Sequence, residues 1–227
     1  MHNVTETETM TGYTIESHPS VHIMHGRLSD LALKKTLDFV TTLSESNATT
    51  YSLDNINPPS IQTWVDYGNE MMKPYVDETE NAIKEYISHC CDPLNPKYQQ
   101  KLERTITIQD CWCIKMNKGD YMPMHSHRTT AKTGISTVLY LKVPDKLADP
   151  KNQYASIGGG LTLSWPSNNV SVMEDDVNPS NARHIYPVVG EFWIFPKWLS
   201  HVLNPYRFEG ERWGMASNWN IWMEDGR

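Results

Sequence analysis

The period of the apolar residues changes once in this chain, near residue 103, and that change constrains the fold more than any other feature. Beyond it Ile106, Ile108, Asp110, Trp112, Ile114 and Met116 alternate with Thr, Gln, Cys and Lys. A period of two places the first set on one face of a half-buried strand. Further strand-like runs follow at 121–127, Gly134–Val143, Gly160–Trp165, Glu191–Phe195, His201–Leu203 and Arg212–Trp222. Gly and Pro clusters separate them, and no helical pattern clearly intervenes. Consecutive strands with turn signals between them predict an antiparallel sandwich or jelly roll. Asn117-Lys-Gly-Asp reads as a hairpin-type turn.

The first half of the chain reads differently. The first dozen residues read as a disordered tail, and Val21 to Met24 as a short edge strand. Ser29, with Asp30 behind it, can cap a helix carrying Leu31, Leu33, Leu37, Phe39, Val40 and Leu43. Ser46 to Pro59 is a loop. Trp64, Tyr67, Met71, Tyr75, Ile83 and Ile87 recur at helical spacing and predict a longer helix from Ser60 to His89, kinked or broken at Pro74. Stripes of this kind are read as packing. Cys91 to Gln100, with two prolines, links this part to the strands. The expected organisation is one domain: a tail at 1–12, a helical part at 13–104 packing on the barrel, and a β core at 105–227.

A chain of 227 residues has ample length for one substantial core. Its net charge of −7 argues against a generally nucleic-acid-binding surface and against an anionic membrane surface. No apolar run reaches transmembrane length, and the polar, acidic start is no signal peptide. A cytoplasmic location is expected. The four cysteines form two tight pairs, Cys90-Cys91 and Cys111/Cys113. Neither pair has Cys-x-x-Cys spacing, so buried small hydrophobes are favoured over a zinc site with His89. The Asn-x-Ser/Thr triplets at Asn3, Asn47 and Asn169 carry no meaning in an intracellular chain.

Chemistry concentrates in Tyr121-Met-Pro-Met-His-Ser-His127. Two imidazoles two residues apart leave the same face of a strand. A third, His201, follows the apolar run that Pro196 turns. Together His125, His127 and His201 could hold a metal with several positions open, where single surface or core histidines are the bland alternative. Arg212 lies eleven residues beyond His201. Its same-face neighbours Gly214 and Ala216 are small, which leaves room for a bound dicarboxylate beside the guanidinium. Gly158-Gly-Gly lacks the Lys-Ser/Thr and helix of a phosphate loop and reads as a tight turn into a strand. The polar stretch 167–187 is a loop, solvated or serving as a lid.

In order and spacing, several motifs resemble the 2-oxoglutarate/Fe(II)-dependent oxygenases. They are Asn117-Lys-Gly-Asp-Tyr-(x)3-His125-Ser-His127, Ser136-Thr-Val-Leu-Tyr140-Leu, Gly159-Gly-Leu-Thr-Leu, Gly190-Glu-Phe-Trp-Ile-Phe-Pro-(x)4-His201-(x)3-Pro205 and Arg212. The closest likeness is to a subfamily with a His-x-His ligand motif, frequent in phage and marine bacterial genomes; a viral member would work in the host cytoplasm. Prolyl hydroxylases resemble the pattern more distantly. The resemblance covers 105 to 220. It implies a double-stranded β-helix, Fe(II) held by His125 and His201, and 2-oxoglutarate whose distal carboxylate meets Arg212 and Tyr140. It also implies an O2-dependent hydroxylase acting on a small molecule or a peptide, a peptidyl proline among them. Two departures stand out. The family's usual Asp/Glu is His127 here, with Asp120 as a substitute candidate, and its Arg-x-Ser reads Arg212-Trp-Gly.

Two other functions compete. A cupin-type three-histidine dioxygenase would not use 2-oxoglutarate and would not need Arg212. A jelly-roll viral structural protein would carry its histidines incidentally and bind no iron.

Overall fold

The computed structural model describes residues 8–10, 12–18, 21–43, 48–50, 61–90, 104–127, 133–144, 158–165 and 181–223. Cys91, the 91–100 linker, the three Asn-x-Ser/Thr asparagines, the first seven residues and most of the 167–187 loop lie outside them.

In chain order the strands are β1 (Glu8–Met10), β2 (Tyr13–His18), β3 (Val21–Arg27), β4 (Ala48–Thr50), β5 (Ile61–Trp64), β6 (Arg104–Met116), β7 (Met122–His125), β8 (Thr133–Lys142), β9 (Leu161–Ser164), β10 (Ala182–Ile185), β11 (Glu191–Pro196), β12 (Ser200–Leu203) and β13 (Arg212–Met223). Helices α1 (Asp30–Thr42) and α2 (Lys73–Cys90) complete the described elements. Nine strands form one antiparallel sheet in the order β1-β2-β3-β11-β8-β13-β6-β5-β4, and four form another, β10-β9-β12-β7.

The expected double-stranded β-helix is corrected by this pairing. Among the described residues no strand of one sheet pairs with a strand of the other, so neither closes into a barrel or jelly roll. The reason lies in the N-terminal strands. On one side β3 pairs with β11, and on the other β5 pairs with β6. The large sheet therefore grows outward at both flanks instead of turning to meet β7 or β10. Val21–Met24 accordingly lies inside the sheet, with β2 on its other side.

The helix expected from Ser60 is also corrected. Ile61–Trp64 is a strand, paired with Lys115–Trp112 of β6. Asp66, Gly68 and Asn69 then turn the chain: Gly68 N donates to Asp66 Oδ1 at 3.0 Å and Met71 N to Asn69 Oδ1 at 2.9 Å. Pro74 sits in the first turn of α2, where its missing N–H has no helical acceptor to lose. At α1 the sequence reading holds, because Ser29 Oγ accepts from Ala32 N at 3.2 Å. The Asn117–Asp120 turn joins β6 of one sheet to β7 of the other, so it makes a crossing and no hairpin.

Two cores follow from the alternation. One face of the large sheet packs on the helices through Met215, Trp219, Leu139 and Ile194 against Tyr75, Ala82, Ile83 and Val40. The other packs on the small sheet: Trp112, Ile114, Val138 and Tyr140 against Leu161, Leu163, Ile185 and Leu203. On the helical side the Tyr75 hydroxyl meets Ser217 Oγ at 2.8 Å and Thr137 Oγ1 at 3.2 Å, tying α2 to β13 and β8. Cys111 and Cys113 are buried on that side as free thiols. Burial raises both pKa values, that of Cys113 to about 12, so they pack as neutral small hydrophobes.

One irregularity in β6 decides which residues reach the space between the sheets. Asp110 pairs with Asn218 but Ile108 pairs with Trp219, which leaves Gln109 as an extra residue. Such a bulge reverses the alternation. Ile106 and Ile108 therefore join the helical core, while Trp112 and Ile114 face the small sheet.

Candidate metal centre and its cavity

The three histidines converge between the two sheets. His125 ends β7 and His201 lies in β12, where the two are Cα partners across an antiparallel ladder. His127 lies just past β7, positioned by its backbone N–H, which donates to Lys197 O at 3.0 Å. Ring centroids are 4.2 Å apart for His125–His201, 5.0 Å for His127–His201 and 5.1 Å for His125–His127. One ligand nitrogen from each can be chosen so that all lie within 4.8 Å of one another.

Electrostatics suit these rings to metal binding. Burial lowers the pKa of all three: that of His201 to about 4, and that of His127 to about 3 with help from His201, His125 and Lys197. At neutral pH each ring is neutral and keeps a lone pair. The His125 Nδ1 lies 2.7 Å from Pro123 O, and the His201 Nδ1 lies 2.9 Å from Leu199 O. A neutral ring beside a carbonyl must donate from that nitrogen, which leaves both Nε2 atoms as the ligand atoms. Asp120 is not part of the group. Its Oδ2 accepts from Asn117 N at 2.7 Å and closes the turn.

The rings line a cavity of about 450 Å³, partly continuous with solvent, whose opposite wall is the inner face of β13: Arg212, Gly214, Ala216 and Asn218. Arg212 is 1% exposed. Its Nη1 lies 2.9 Å from Met116 Sδ, its Nε and Nη2 have no partner, and neither does the Tyr140 hydroxyl. The guanidinium lies over the Tyr140 ring, 4.9 Å from its centroid. Burial lowers the pKa of Arg212 and raises that of Tyr140. A Cβ on Gly214 would lie 3.8 Å from Arg212 Nη1, so glycine keeps open the space beside the guanidinium.

At the other end of the same β13 face, Ser136 Oγ donates to Asn218 Oδ1 at 2.8 Å. Beside it, Lys197 Nζ donates to Gln109 Oε1 at 2.8 Å, and Gln109 Nε2 to Asp110 Oδ2 at 2.9 Å. Lys197 is 1% exposed; burial lowers its pKa and Asp110 pulls it back up. Trp112 packs between His127, at 5.5 Å, and the exposed Trp64, at 5.9 Å. Sequence reasoning missed this polar end. Its one signal was an aspartate standing in an otherwise apolar stripe.

Gly158-Gly-Gly is a tight turn, as expected. Gly159 has φ +75° and donates from its backbone N–H to Pro205 O at 3.1 Å. A Cβ there would lie 2.7 Å from Tyr206 Cδ2. Within the polar loop at 167–187, residues 182–185 form β10, paired with β9.

Comparison with known proteins bears on this arrangement. A search of curated protein sequences returns no match. Among solved structures, the chain is similar to a Pseudomonas putida prolyl-4-hydroxylase, with 17% identity, 92% of each chain covered and a TM-score of 0.55. It is also similar to a viral collagen prolyl hydroxylase from Paramecium Bursaria Chlorella virus-1, with 15% identity, 89% of this chain and 96% of that one covered, and a TM-score of 0.53. A non-heme alpha ketoglutarate dependent epimerase of nogalamycin biosynthesis gives a TM-score of 0.58 at 10% identity, over 87% of this chain and 78% of that one. At such identities these are likenesses of fold. The sequence adds a match of residues 110–218 to the family described as "Putative 2OG-Fe(II) oxygenase". That segment, just under half of the chain, carries all three imidazoles and the buried guanidinium they face, and it is there that the chain is similar to this family.

Proposed function

We propose that the protein is an Fe(II)- and 2-oxoglutarate-dependent hydroxylase, with His125, His127 and His201 as the iron ligands. Arg212 and Tyr140 hold the distal carboxylate of 2-oxoglutarate. The observation that carries this reading is the buried Arg212, whose Nε and Nη2 have no partner in the same cavity as three converging imidazoles. A buried guanidinium without an anion is costly, and a carboxylate meets its fork in two parallel bonds. The unpartnered Tyr140 hydroxyl can supply a third. The donor set fits iron too: imidazole nitrogens suit Fe(II), and three ligands leave positions for co-substrate and O2.

Bound there, iron and 2-oxoglutarate would couple oxidative decarboxylation of the co-substrate to oxidation of a substrate C–H bond. The chain's part is orientation and exclusion of water. Pro123 O and Leu199 O fix two imidazoles in the tautomer that turns Nε2 to the ion. Arg212 and Tyr140 fix the far end of the co-substrate, so that its keto acid end is presented to the metal. Phe195, Leu203 and Val138 keep the lining apolar, which strengthens every polar contact made inside.

The test is an anaerobic titration of the Fe(II) protein with 2-oxoglutarate. A visible metal-to-ligand charge-transfer band is expected, followed by succinate formation when O2 is admitted. Iron binding without such a band would favour the three-histidine dioxygenase. A protein that binds no iron would be neither.

A further inference from the structure

The cavity has two polar ends, and the co-substrate needs only one. Arg212 and Asn218 lie on the same face of β13 six residues apart, a separation of roughly 20 Å in extended chain. At the Asn218 end two buried polar atoms have no partner: Asp110 Oδ1 and Trp112 Nε1. Asp110 and Asn218 are Cα partners, and Trp112 is the next residue of β6 on the same face. Trp112 is 8% exposed, lines the cavity, and packs on His127 with ring centroids 5.5 Å apart. Trp112 is therefore buried beside His127, Asp110 lies next to it on the same strand face, and Asp110 Oδ1 and Trp112 Nε1 are both buried atoms unmatched within the protein. A buried polar group left unmatched is destabilising unless a ligand completes it.

We propose that Asp110, Trp112 and Asn218 form the primary-substrate subsite, and that it takes an uncharged amide. The pattern of donors and acceptors selects that class. Asp110 Oδ1 can only accept, whereas Trp112 Nε1 can only donate. Asn218 gives its carbonyl to Ser136, which leaves its amide nitrogen as a second donor. A matching group must present an N–H and an oxygen acceptor side by side, as a carboxamide or a peptide unit does. Charge decides against the alternatives. Lys197, linked to Asp110 through Gln109, already supplies a cation there, so a substrate ammonium has no uncompensated anion to meet. A substrate carboxylate would face the Asp110 carboxylate. The β6 bulge builds the subsite, because the extra residue is Gln109 itself and lies between the two linked side chains.

The oxygenase reading is what makes this ligand a substrate, but binding can be read without it. The probe is the indole N–H resonance of Trp112 in ¹⁵N-labelled protein, assigned by its loss in Trp112→Phe. It is followed with Fe(II)-free and Zn(II)-loaded protein during additions of N-acetylglycinamide, acetate and ethylammonium. The amide is expected to shift this resonance, while the Trp219 indole, which donates to Ser217 Oγ at 2.7 Å in the helical core, stays still. Acetate and ethylammonium are expected to shift neither. Asp110→Asn, nearly isosteric, should weaken the amide's binding about tenfold, the value of one hydrogen bond to a charged acceptor. No amide shift, equal shifts with the charged probes, or undiminished binding in Asp110→Asn would each overturn the proposal. Absence of the charge-transfer band with 2-oxoglutarate would instead remove the oxygenase reading and leave this result standing.

Discussion

His125 and His201 are Cα partners across the β7–β12 ladder, and their rings approach to 4.2 Å between centroids. An ion held by this pair clips an edge strand to its neighbour at a place where the ladder is already irregular, between His201 and Leu203. His201→Ala is expected to reduce iron from about one per chain to near zero, because the remaining ligands come from one short segment. Iron content by elemental analysis after anaerobic reconstitution checks this; retained iron would remove His201 from the centre.

His127 is the candidate ligand that departs from the usual carboxylate. If it coordinates, His127→Asp keeps three ligands and adds a negative charge, so iron binding should hold or strengthen. His127→Ala should weaken binding by at least tenfold, the effect of about 1.4 kcal/mol. Competition with a chelator of known affinity measures both. Undiminished binding in His127→Ala would make this imidazole a neighbour of the ion and no ligand.

Arg212 offers a test with an unusual sign. Without an anion its buried charge is uncompensated, so Arg212→Met should leave melting in the absence of 2-oxoglutarate unchanged or raise it. Wild type should gain about 2.7 kcal/mol at a co-substrate concentration a hundred times the dissociation constant, and the variant nothing. Arg212→Lys should restore part of the gain, since an ammonium lacks the planar fork. Equal stabilisation of all three proteins by 2-oxoglutarate would move the carboxylate site elsewhere.

Tyr75 tests how the helical side supports the site. Its hydroxyl bonds Ser217 and Thr137, which are also bonded to each other at 2.6 Å. Tyr75→Phe therefore strands no buried group entirely, and a loss of about 1 kcal/mol is expected. Thermal or denaturant unfolding measures it, and iron binding should be unchanged. A loss above 3 kcal/mol would mean that α2 holds β13 through this hydroxyl more than through its apolar face.

The strands beyond residue 103 were legible because a period of two survives in the sequence wherever one face is buried. The candidate ligand group was legible for a related reason: His125 and His127 stand two residues apart, as side chains on one strand face do, and His201 follows the apolar run that Pro196 turns. Other features left no local trace. Whether the strands close into a barrel depends on which segments flank β6 and β11, and the choice of β5 and β3 is made by long-range pairing. Ile61–Trp64 was misread because Trp64 continues the helical spacing of Tyr67 and Met71, although it packs edge-on against Trp112 instead. The stripe from Ile106 to Met116 looked continuous across a bulge that sends its two halves to opposite cores.

That bulge gives the last prediction. Deleting Gln109 would make Ile108 the immediate neighbour of Asp110, and simple alternation would then send Ile108 to the helical core and Asp110 to the cavity. Those are the sides they already occupy, and the pairings Ile108–Trp219 and Asp110–Asn218 can persist. The deletion should therefore preserve both cores. What it removes is the acceptor of Lys197 and the donor to Asp110 Oδ2. An unmatched Lys197 should cost roughly 1–3 kcal/mol, or several degrees in Tm for a chain of this size. Iron binding at the three imidazoles and 2-oxoglutarate binding at Arg212 use none of the lost hydrogen bonds and should stay as in wild type. Amide binding read at the Trp112 indole should fall, because nothing then holds Asp110 Oδ1 beside that N–H. Loss of all three activities together would show that the extra residue is needed for the sheet itself, and a deletion that changed none of them would leave the bulge without a role in the cavity.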